Sequence, residues 1–236
     1  MSEISDDALF EAANFAGKAR LFPLPNLVLF PHVLQPLHVF EIRYREMVEE
    51  ALAGDRLIAM ALLAPGWEAD YEGRPPLYPM ACLGRIVTHH RLEDGRFNLL
   101  LAGLQRVRLV RELEPSKSFR EAEAVSCPDE YSTPGALGRA ILRRRLLETF
   151  RRLADSFDDS QNQLEPLLAG DVSMGMLTDL VAYTLELGLA TKQQLLDELD
   201  VDRRADLLLR SLANRSKNAA NSARAANSFP PGFSEN

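Results

Sequence analysis

The chain has 236 residues and a formal net charge of -7 at pH 7; 46% of its residues are hydrophobic and 26% are charged. This length and composition predict a soluble globular protein with one domain or two small ones. The negative charge argues against a dedicated, non-specific nucleic-acid binder, although it leaves room for a local basic patch.

Residues 1–19 are acidic at their start and then show a weak helical pattern, so we expect a mobile arm or a short helix. They contain no apolar stretch of the kind that marks a secretory signal. No apolar run elsewhere in the chain approaches the roughly 20 residues needed to cross a bilayer. We therefore expect a cytoplasmic protein without a membrane segment.

Two apolar segments interrupted by prolines follow, Leu21–Pro31 and Val33–Phe40. Proline cannot donate a hydrogen bond to a neighbouring strand, so these segments predict strands that are short, bulged or at a sheet edge. They lead into a predicted amphipathic helix whose apolar residues recur at helical spacing. These residues are Phe40, Tyr44, Met47, Val48, Ala51 and Leu52.

Further strands are predicted after this helix. Arg56–Leu63 is a short apolar run between turn signals, and Asp94-Gly95 between two apolar runs is typical of a β-hairpin. Gln105–Leu113 and Phe119–Val125 then alternate apolar and polar residues, as half-buried strands do. The alternation in the first of these two strands predicts that Arg106 faces solvent.

A long loop, Ala64–Pro79, lies among these strands and contains Trp67, the one tryptophan of the chain. Loops of this length inside a compact domain are usually functional or mobile. Six or so short strands, with one helix inserted after the second, favour a small closed or partly closed β-barrel. We assign this barrel to residues 20–128.

The apolar period changes after residue 134. Four segments within residues 134–213 have helical spacing and predict a bundle of about four helices. Residues 214–236 contain few large apolar side chains, so they cannot offset a chain entropy of about 1–2 kcal/mol per residue and are predicted to be disordered. The predicted fold class is therefore α+β, a small β-barrel with an inserted helix followed by a C-terminal helical bundle.

Several segments resemble the Lon N-terminal domain, the substrate-binding module at the front of Lon-type ATP-dependent proteases. The similar segments are Leu21–Pro31, Pro36–Arg45, Leu83–Val87 and Gly95–Arg106, and the resemblance extends over roughly residues 20–212. It implies a PUA-like barrel with a helical half behind it. It also implies that the chain binds protein substrates.

The chain shows no motif for catalysis. It contains neither a GxxxxGK[ST] nor a GxSxG sequence. Lys117 lies between two serines, but in a proline-led segment typical of a solvated turn. Cys82 and Cys127 have no metal-binding spacing, and the adjacent His89 and His90 point to opposite sides of a strand. We therefore predict a non-enzymatic protein with no cofactor and no metal.

Peptide binding is the function that the front segment favours. Strands interrupted by proline leave unpaired backbone groups and small apolar patches at a sheet edge, where an extended, unfolded chain can bind. The candidate contacts are Phe30, Pro31, Phe40 and Trp67. The predicted partners are unfolded or partly folded proteins and a separate protease, for which this protein would act as an adaptor in quality control.

An alternative hypothesis is an RNA-binding module built on the same barrel. The helix predicted at residues 136–154 is rich in arginine, and the candidate phosphate contacts are Arg139, Arg143, Arg144 and Arg151. Acidic residues close by and the negative net charge favour a solvated basic face instead.

Overall fold

The computed structural model describes residues 15–71, 73–132, 136–154 and 172–227. Within them a six-stranded sheet is followed by a helical region, so the predicted α+β class is confirmed. The strands are β1 Lys18–Leu24, β2 Leu34–Val39, β3 Leu57–Leu62, β4 Met80–Arg91, β5 Phe97–Glu112 and β6 Arg120–Cys127. The helices are α1 Ile42–Ala53, α2 Ala136–Ala154, α3 Met174–Thr184, α4 Leu189–Asp197 and α5 Val201–Asn227, with a short 3-10 turn at Trp67–Asp70.

Five strands close a ring of backbone pairings: β1 pairs with β3, β3 with β4, β4 with β5, β5 with β6, and β6 with β1. In this ring β1 and β3 are parallel and the other pairs are antiparallel. β2 lies outside the ring, antiparallel to residues 97–102 of β5. The sheet is therefore not a simple barrel, because the same edge of β5 pairs first with β2 and then with β6.

α1 is inserted between β2 and β3, as predicted from its helical spacing. It buries Tyr44, Met47, Val48 and Ala51, the predicted apolar face. Phe40 precedes the helix and is exposed, so the predicted start of the helix was two residues early.

Two apolar cores lie on opposite sides of the sheet. The smaller core is built from alternate residues of the ring strands and is rich in alanine, because the inside of a small ring has room for few large side chains. Its buried members are Ala19, Leu21, Leu57, Ala59, Ala61, Ala81, Leu83, Ala102, Leu104, Val107, Ala122 and Ala124. The larger core extends from α1 and the other side of the sheet into the helical region.

The helical region packs the apolar faces of its helices against one another and against the sheet. Ser173 is the N-cap of α3, and its hydroxyl accepts a hydrogen bond from the Met176 N–H at 3.1 Å. Phe150, Leu177 and Leu208, from α2, α3 and α5, are buried in the shared core. These contacts supply the tertiary support that short helices need in water.

The C-terminal segment differs from its prediction in the part that the structure describes. α5 continues to Asn227 instead of ending near residue 213. Residues 214–227 include several alanines, which have the highest helix propensity and extend a helix that is already nucleated. Residues 228–236, like residues 1–14 of the predicted arm, lie outside the described residues.

Candidate functional site

Phe30 and Pro31, two of the predicted peptide contacts, are buried in the core. The segment that carries them runs close against β5. The His32 N–H donates to the Gly103 carbonyl at 2.8 Å, and a Cβ at Gly103 would lie 2.1 Å from the carbonyl oxygen of Phe30. The prediction is therefore corrected for these two residues: both are buried in the core, and neither can present a contact surface.

Phe40 is exposed, as a contact residue should be, and it belongs to an apolar strip that begins in β2. Alternate residues of a strand share one face, and the exposed positions of β2 are Leu34, Pro36 and His38. Phe40 and Ile42 continue the strip with 60% and 70% of their surface exposed. Large apolar side chains with this degree of exposure are the kind of feature that marks a binding surface.

The backbone of β2 is also open along one edge. Among the described residues, β5 is its one strand neighbour. The Gly103 N–H donates to the Val33 carbonyl at 2.8 Å, so Val33 faces β5. Because neighbouring residues of a strand face opposite sides, Leu34, Pro36 and His38 direct their backbone groups away from β5. Pro36 thus lies where its missing N–H costs no ladder bond.

Trp67 is connected to the same strip through its loop. Its indole packs edge-on against the Tyr71 ring, with centroids 5.6 Å apart. The Tyr71 hydroxyl donates to Glu41 Oε1 at 3.0 Å, and Glu41 lies between Phe40 and Ile42 in the chain. Burial and the bond to Glu41 both raise the pKa of Tyr71, which keeps the hydroxyl a donor. We call the exposed side of β2, Phe40, Ile42 and this loop the β2–α1 surface.

The arginines of α2 do not form a single basic face. Arg139 donates through Nη2 to Asp202 at 2.8 Å, and Arg143 donates through Nη1 to the Val172 carbonyl at 2.7 Å. The other two predicted phosphate contacts are exposed: Arg144 and Arg151. Arg144 also pairs with Glu148 of the same helix at 3.6 Å, so three of the four candidates have partners within the helical region.

Arg106 was predicted to face solvent, and this prediction is wrong. Its guanidinium is 2% exposed and donates to both carboxylate oxygens of Asp179, at 3.0 and 2.5 Å. Arg204, also buried, donates to both carboxylate oxygens of Asp129 at 2.9 and 2.8 Å. Burial by itself would lower the pKa of Arg106, but Asp179 and then Asp129 outweigh it and raise the pKa.

We call these four side chains the buried ion cluster. The cluster connects the sheet to the helices, since its members are Arg106 on β5, Asp129 after β6, Asp179 on α3 and Arg204 on α5. Alternation itself holds at Arg106, because Val107 is buried in the smaller core and Arg106 points to the other face of β5. The prediction failed because the helical region covers that face, where Arg106 meets α3 and α4. One signal was visible in the sequence, since Asp179 is the one charged residue of an otherwise apolar helix. The charges are balanced, and we assign the cluster a structural role.

Two further properties of the described residues bear on the site. Within them, no three histidine, cysteine, aspartate or glutamate side chains converge in a way that could hold a metal ion. None of the helices over the same residues is both long enough and apolar enough to span a membrane.

Comparison with known proteins adds a family match. Residues 18–214 match the family described as the ATP-dependent protease La (LON) substrate-binding domain. The Lon protease of Dictyoglomus thermophilum is 28% identical over 186 residues, covering 78% of this chain and 23% of that protein. Lon protease 2 of Herpetosiphon aurantiacus is 29% identical over 188 residues, covering 78% and 22%. The chain thus spans about a quarter of the length of these relatives.

Solved structures show the same fold. The N-terminal domain of a Mycobacterium avium complex Lon protease has a TM-score of 0.65 at 17% identity, covering 83% of this chain and 98% of that one. A Lon N-terminal domain protein from Xanthomonas campestris has a TM-score of 0.56 at 24% identity, covering 82% and 97%.

Proposed function

Because the chain belongs to the family of Lon substrate-binding domains, we propose that it binds exposed apolar segments of unfolded or partly folded proteins. The observation that supports this most directly is the β2–α1 surface, where exposed apolar side chains follow a strand edge with outward backbone groups. An extended client pairs its backbone with β2 and rests its apolar side chains on Phe40 and Ile42.

The expected affinity is modest. Burying one leucine or phenylalanine of the client contributes about 1.5–3 kcal/mol. Two or three such contacts, less the cost of ordering the client, correspond to roughly micromolar or weaker binding. Weak binding that depends little on sequence suits a protein that captures unfolded chains.

The wider role follows from the matched region. We propose that the protein acts as a non-catalytic adaptor in cytoplasmic protein quality control, with a separate protease as a second partner. Two observations support this: the match is to a substrate-binding domain, and the chain lacks P-loop and GxSxG sequences.

The test is a titration of a fluorescently labelled, casein-like unfolded client with the wild-type protein and the double variant Phe40→Ser/Ile42→Ser. Losing two apolar contacts is expected to weaken binding at least about tenfold. Both side chains are mostly exposed, so the substitutions leave the core intact. The matched control is Val110→Ser, a valine of β5 that is 62% exposed and lies outside the β2–α1 surface.

The control is expected to bind as the wild type does, and Trp67 emission should change when the client binds. Equal binding by the double variant, or no complex with wild type at roughly 50 μM, contradicts the proposal. The same titration with short RNA at increasing salt separates apolar capture from phosphate binding. Apolar capture changes little with salt, whereas phosphate contacts weaken steeply.

A further inference from the structure

A cavity of about 290 Å³ lies where the start of α1, the loop at Gly73 and the connection between β5 and β6 meet. Four cationic side chains line it: Arg43, Arg74, Lys117 and Arg120. Among the described residues of its lining, none is acidic. Tyr44 and Phe119 form apolar parts of the wall, and both are buried. We call this space the basic cavity.

We propose that the basic cavity binds a carboxylate of the client polypeptide, either an acidic side chain or the chain's C-terminus. This inference rests on the proposed function and adds to it. It names the class of client that binds best, an apolar segment with a carboxylate beside it.

Lys117 and Arg43 are held in place by ion pairs with acidic side chains. Lys117 pairs with Glu50 and with Glu121, the latter at 3.1 Å. Arg43 pairs with Glu41 at 2.8 Å. Positions fixed in this way lower the cost of ordering the side chains when a ligand binds.

Positive charge is in excess at one side of the cavity. Arg74 and Arg120 share a single carboxylate, Glu112: Arg74 Nη2 donates to it at 2.8 Å and Arg120 Nε at 2.9 Å. Arg74 makes one other hydrogen bond within the described residues: the same Nη2 donates to the Leu113 carbonyl at 3.2 Å. Its Nε and Nη1 atoms are therefore donors for an incoming carboxylate, and Arg–carboxylate bonds are among the stronger hydrogen bonds.

The size and walls of the cavity favour a carboxylate on a polypeptide over a larger anion. About 290 Å³ is at the lower limit of small-molecule pockets, which are roughly 300–1,000 Å³. The buried Phe119 ring, with Lys117 Nζ 5.2 Å from its centroid, offers apolar contact to the methylenes of a glutamate.

The cavity is also connected to the β2–α1 surface. Arg43 lines the cavity and follows Ile42 directly in the chain. Its guanidinium lies 5.2 Å from the centroid of the Tyr71 ring, which in turn packs against Trp67. A client on the β2–α1 surface therefore meets the positive cavity at Arg43.

The experiment compares three short synthetic peptides that share one leucine- and phenylalanine-rich segment. The first adds a glutamate and has an amidated C-terminus, the second replaces that glutamate by glutamine, and the third combines the glutamine with a free C-terminus. Each is titrated by fluorescence anisotropy against the full 236-residue chain. At least one of the two carboxylate peptides is expected to bind about five- to tenfold more tightly than the neutral peptide.

Arg74→Gln should abolish this preference and leave binding of the neutral peptide unchanged. It is expected to fold, because Glu112 keeps its bonds to Arg120. Arg74→Lys, which retains the charge, should restore part of the preference. The matched control is Arg210→Gln, which removes an exposed arginine of α5 from its pair with Asp206 and should keep the full preference.

The two carboxylate peptides are compared to identify the source of the carboxylate. Tighter binding of the first indicates a side chain, and tighter binding of the third indicates the C-terminus. Equal binding of all three peptides to the wild-type protein overturns the inference but leaves the proposed function standing. A preference that survives in Arg74→Gln also overturns it. If no peptide binds the wild-type protein, the inference and the proposed function both fail.

Discussion

Arg106 and Arg204 are the largest fully buried side chains of the described residues, and both are charged. Each guanidinium would be costly to bury alone, by several kcal/mol. Asp179 and Asp129 offset that cost, and the Nε of Arg106 also donates to the Leu196 carbonyl at 3.0 Å. Such a cluster stabilises the fold only while all its members are present.

Removing one member should therefore be severe. Asp179→Ala leaves two buried cations with a single carboxylate, and we expect it to lower the free energy of unfolding by about 3–5 kcal/mol. Urea denaturation followed by circular dichroism measures this. Asp206→Ala is the control, because it breaks an exposed pair with Arg210 and should cost less than about 1 kcal/mol. A loss for Asp179→Ala no larger than the control's contradicts the structural role of the cluster.

His32, whose pKa is influenced by the buried ion cluster, should make the stability of the protein depend on pH. Burial lowers its pKa; Asp179 and Asp129 oppose this shift, and Arg106 and Arg204 reinforce it. A base with a lowered pKa in the folded state binds fewer protons than in the unfolded state, so its protonation favours unfolding. Stability should therefore fall as the pH drops from 7 toward 5.5, below the ordinary histidine pKa of about 6.5.

The variant His32→Asn tests this pH dependence. His32 has a backbone φ of 63°, a conformation that asparagine tolerates better than most residues. The variant should show a smaller change in urea midpoint between pH 7 and pH 5.5 than the wild type. A change of the same size in both proteins would assign the pH dependence to other groups.

At the scale of elements, β5 organises the sheet. Its 16 residues are long enough to pair with β4 along one edge and with two shorter strands, β2 and β6, along the other. Pairing with β5 therefore sets the register of β2. The outer edge of β2 has no strand partner within the described residues. An edge strand of this kind is a template for a further strand.

The variant His38→Pro tests that edge directly. The His38 N–H points away from β5, so a proline there removes a donor for the client without removing a ladder bond to β5. Binding of an unfolded client should weaken several-fold, as expected for a hydrogen bond worth about 1 kcal/mol. His38→Ala is the matched control, because it removes the same side chain and keeps the N–H. Equal affinity of the two variants would argue against strand pairing at β2.

At the scale of the whole molecule, the sheet and the helical region share one core and one buried ion cluster. The larger apolar core contains residues of both regions. Polar contacts reinforce it, such as the Gln193 side chain of α4, which donates to the Met80 carbonyl of β4 at 3.0 Å. Two regions joined in this way should unfold together, because unfolding of either one exposes surface that the other region buries.

A single cooperative transition is therefore expected. Trp67 fluorescence reports on the sheet region, and far-UV circular dichroism reports mainly on the helices. The two signals should give the same urea midpoint, and Asp179→Ala should shift both midpoints together. Separate midpoints in the wild-type protein would mean that the two regions are independent folding units.

Much of the fold was predictable because it depends on local patterns. Apolar spacing identified α1 and its buried face, the Asp94-Gly95 turn identified the β4–β5 hairpin, and prolines identified an edge strand. The resemblance to Lon N-terminal domains, confirmed by the family match over residues 18–214, supplied the overall class. The candidate site was predicted less well, because an apolar, proline-containing composition suits both the core and an edge patch, and Phe30 and Pro31 lie in the core.

The sequence by itself determined the α+β class, the order of elements and the apolar character of the front segment, because period and turn chemistry are properties of neighbouring residues. The tertiary structure alone decided which apolar residues are exposed, since Phe30 and Phe40 differ in surroundings and not in chemistry. It also decided that Arg106 is buried and that four cations line one cavity. Both depend on segments that are far apart in the chain coming together in the fold, which no local pattern records.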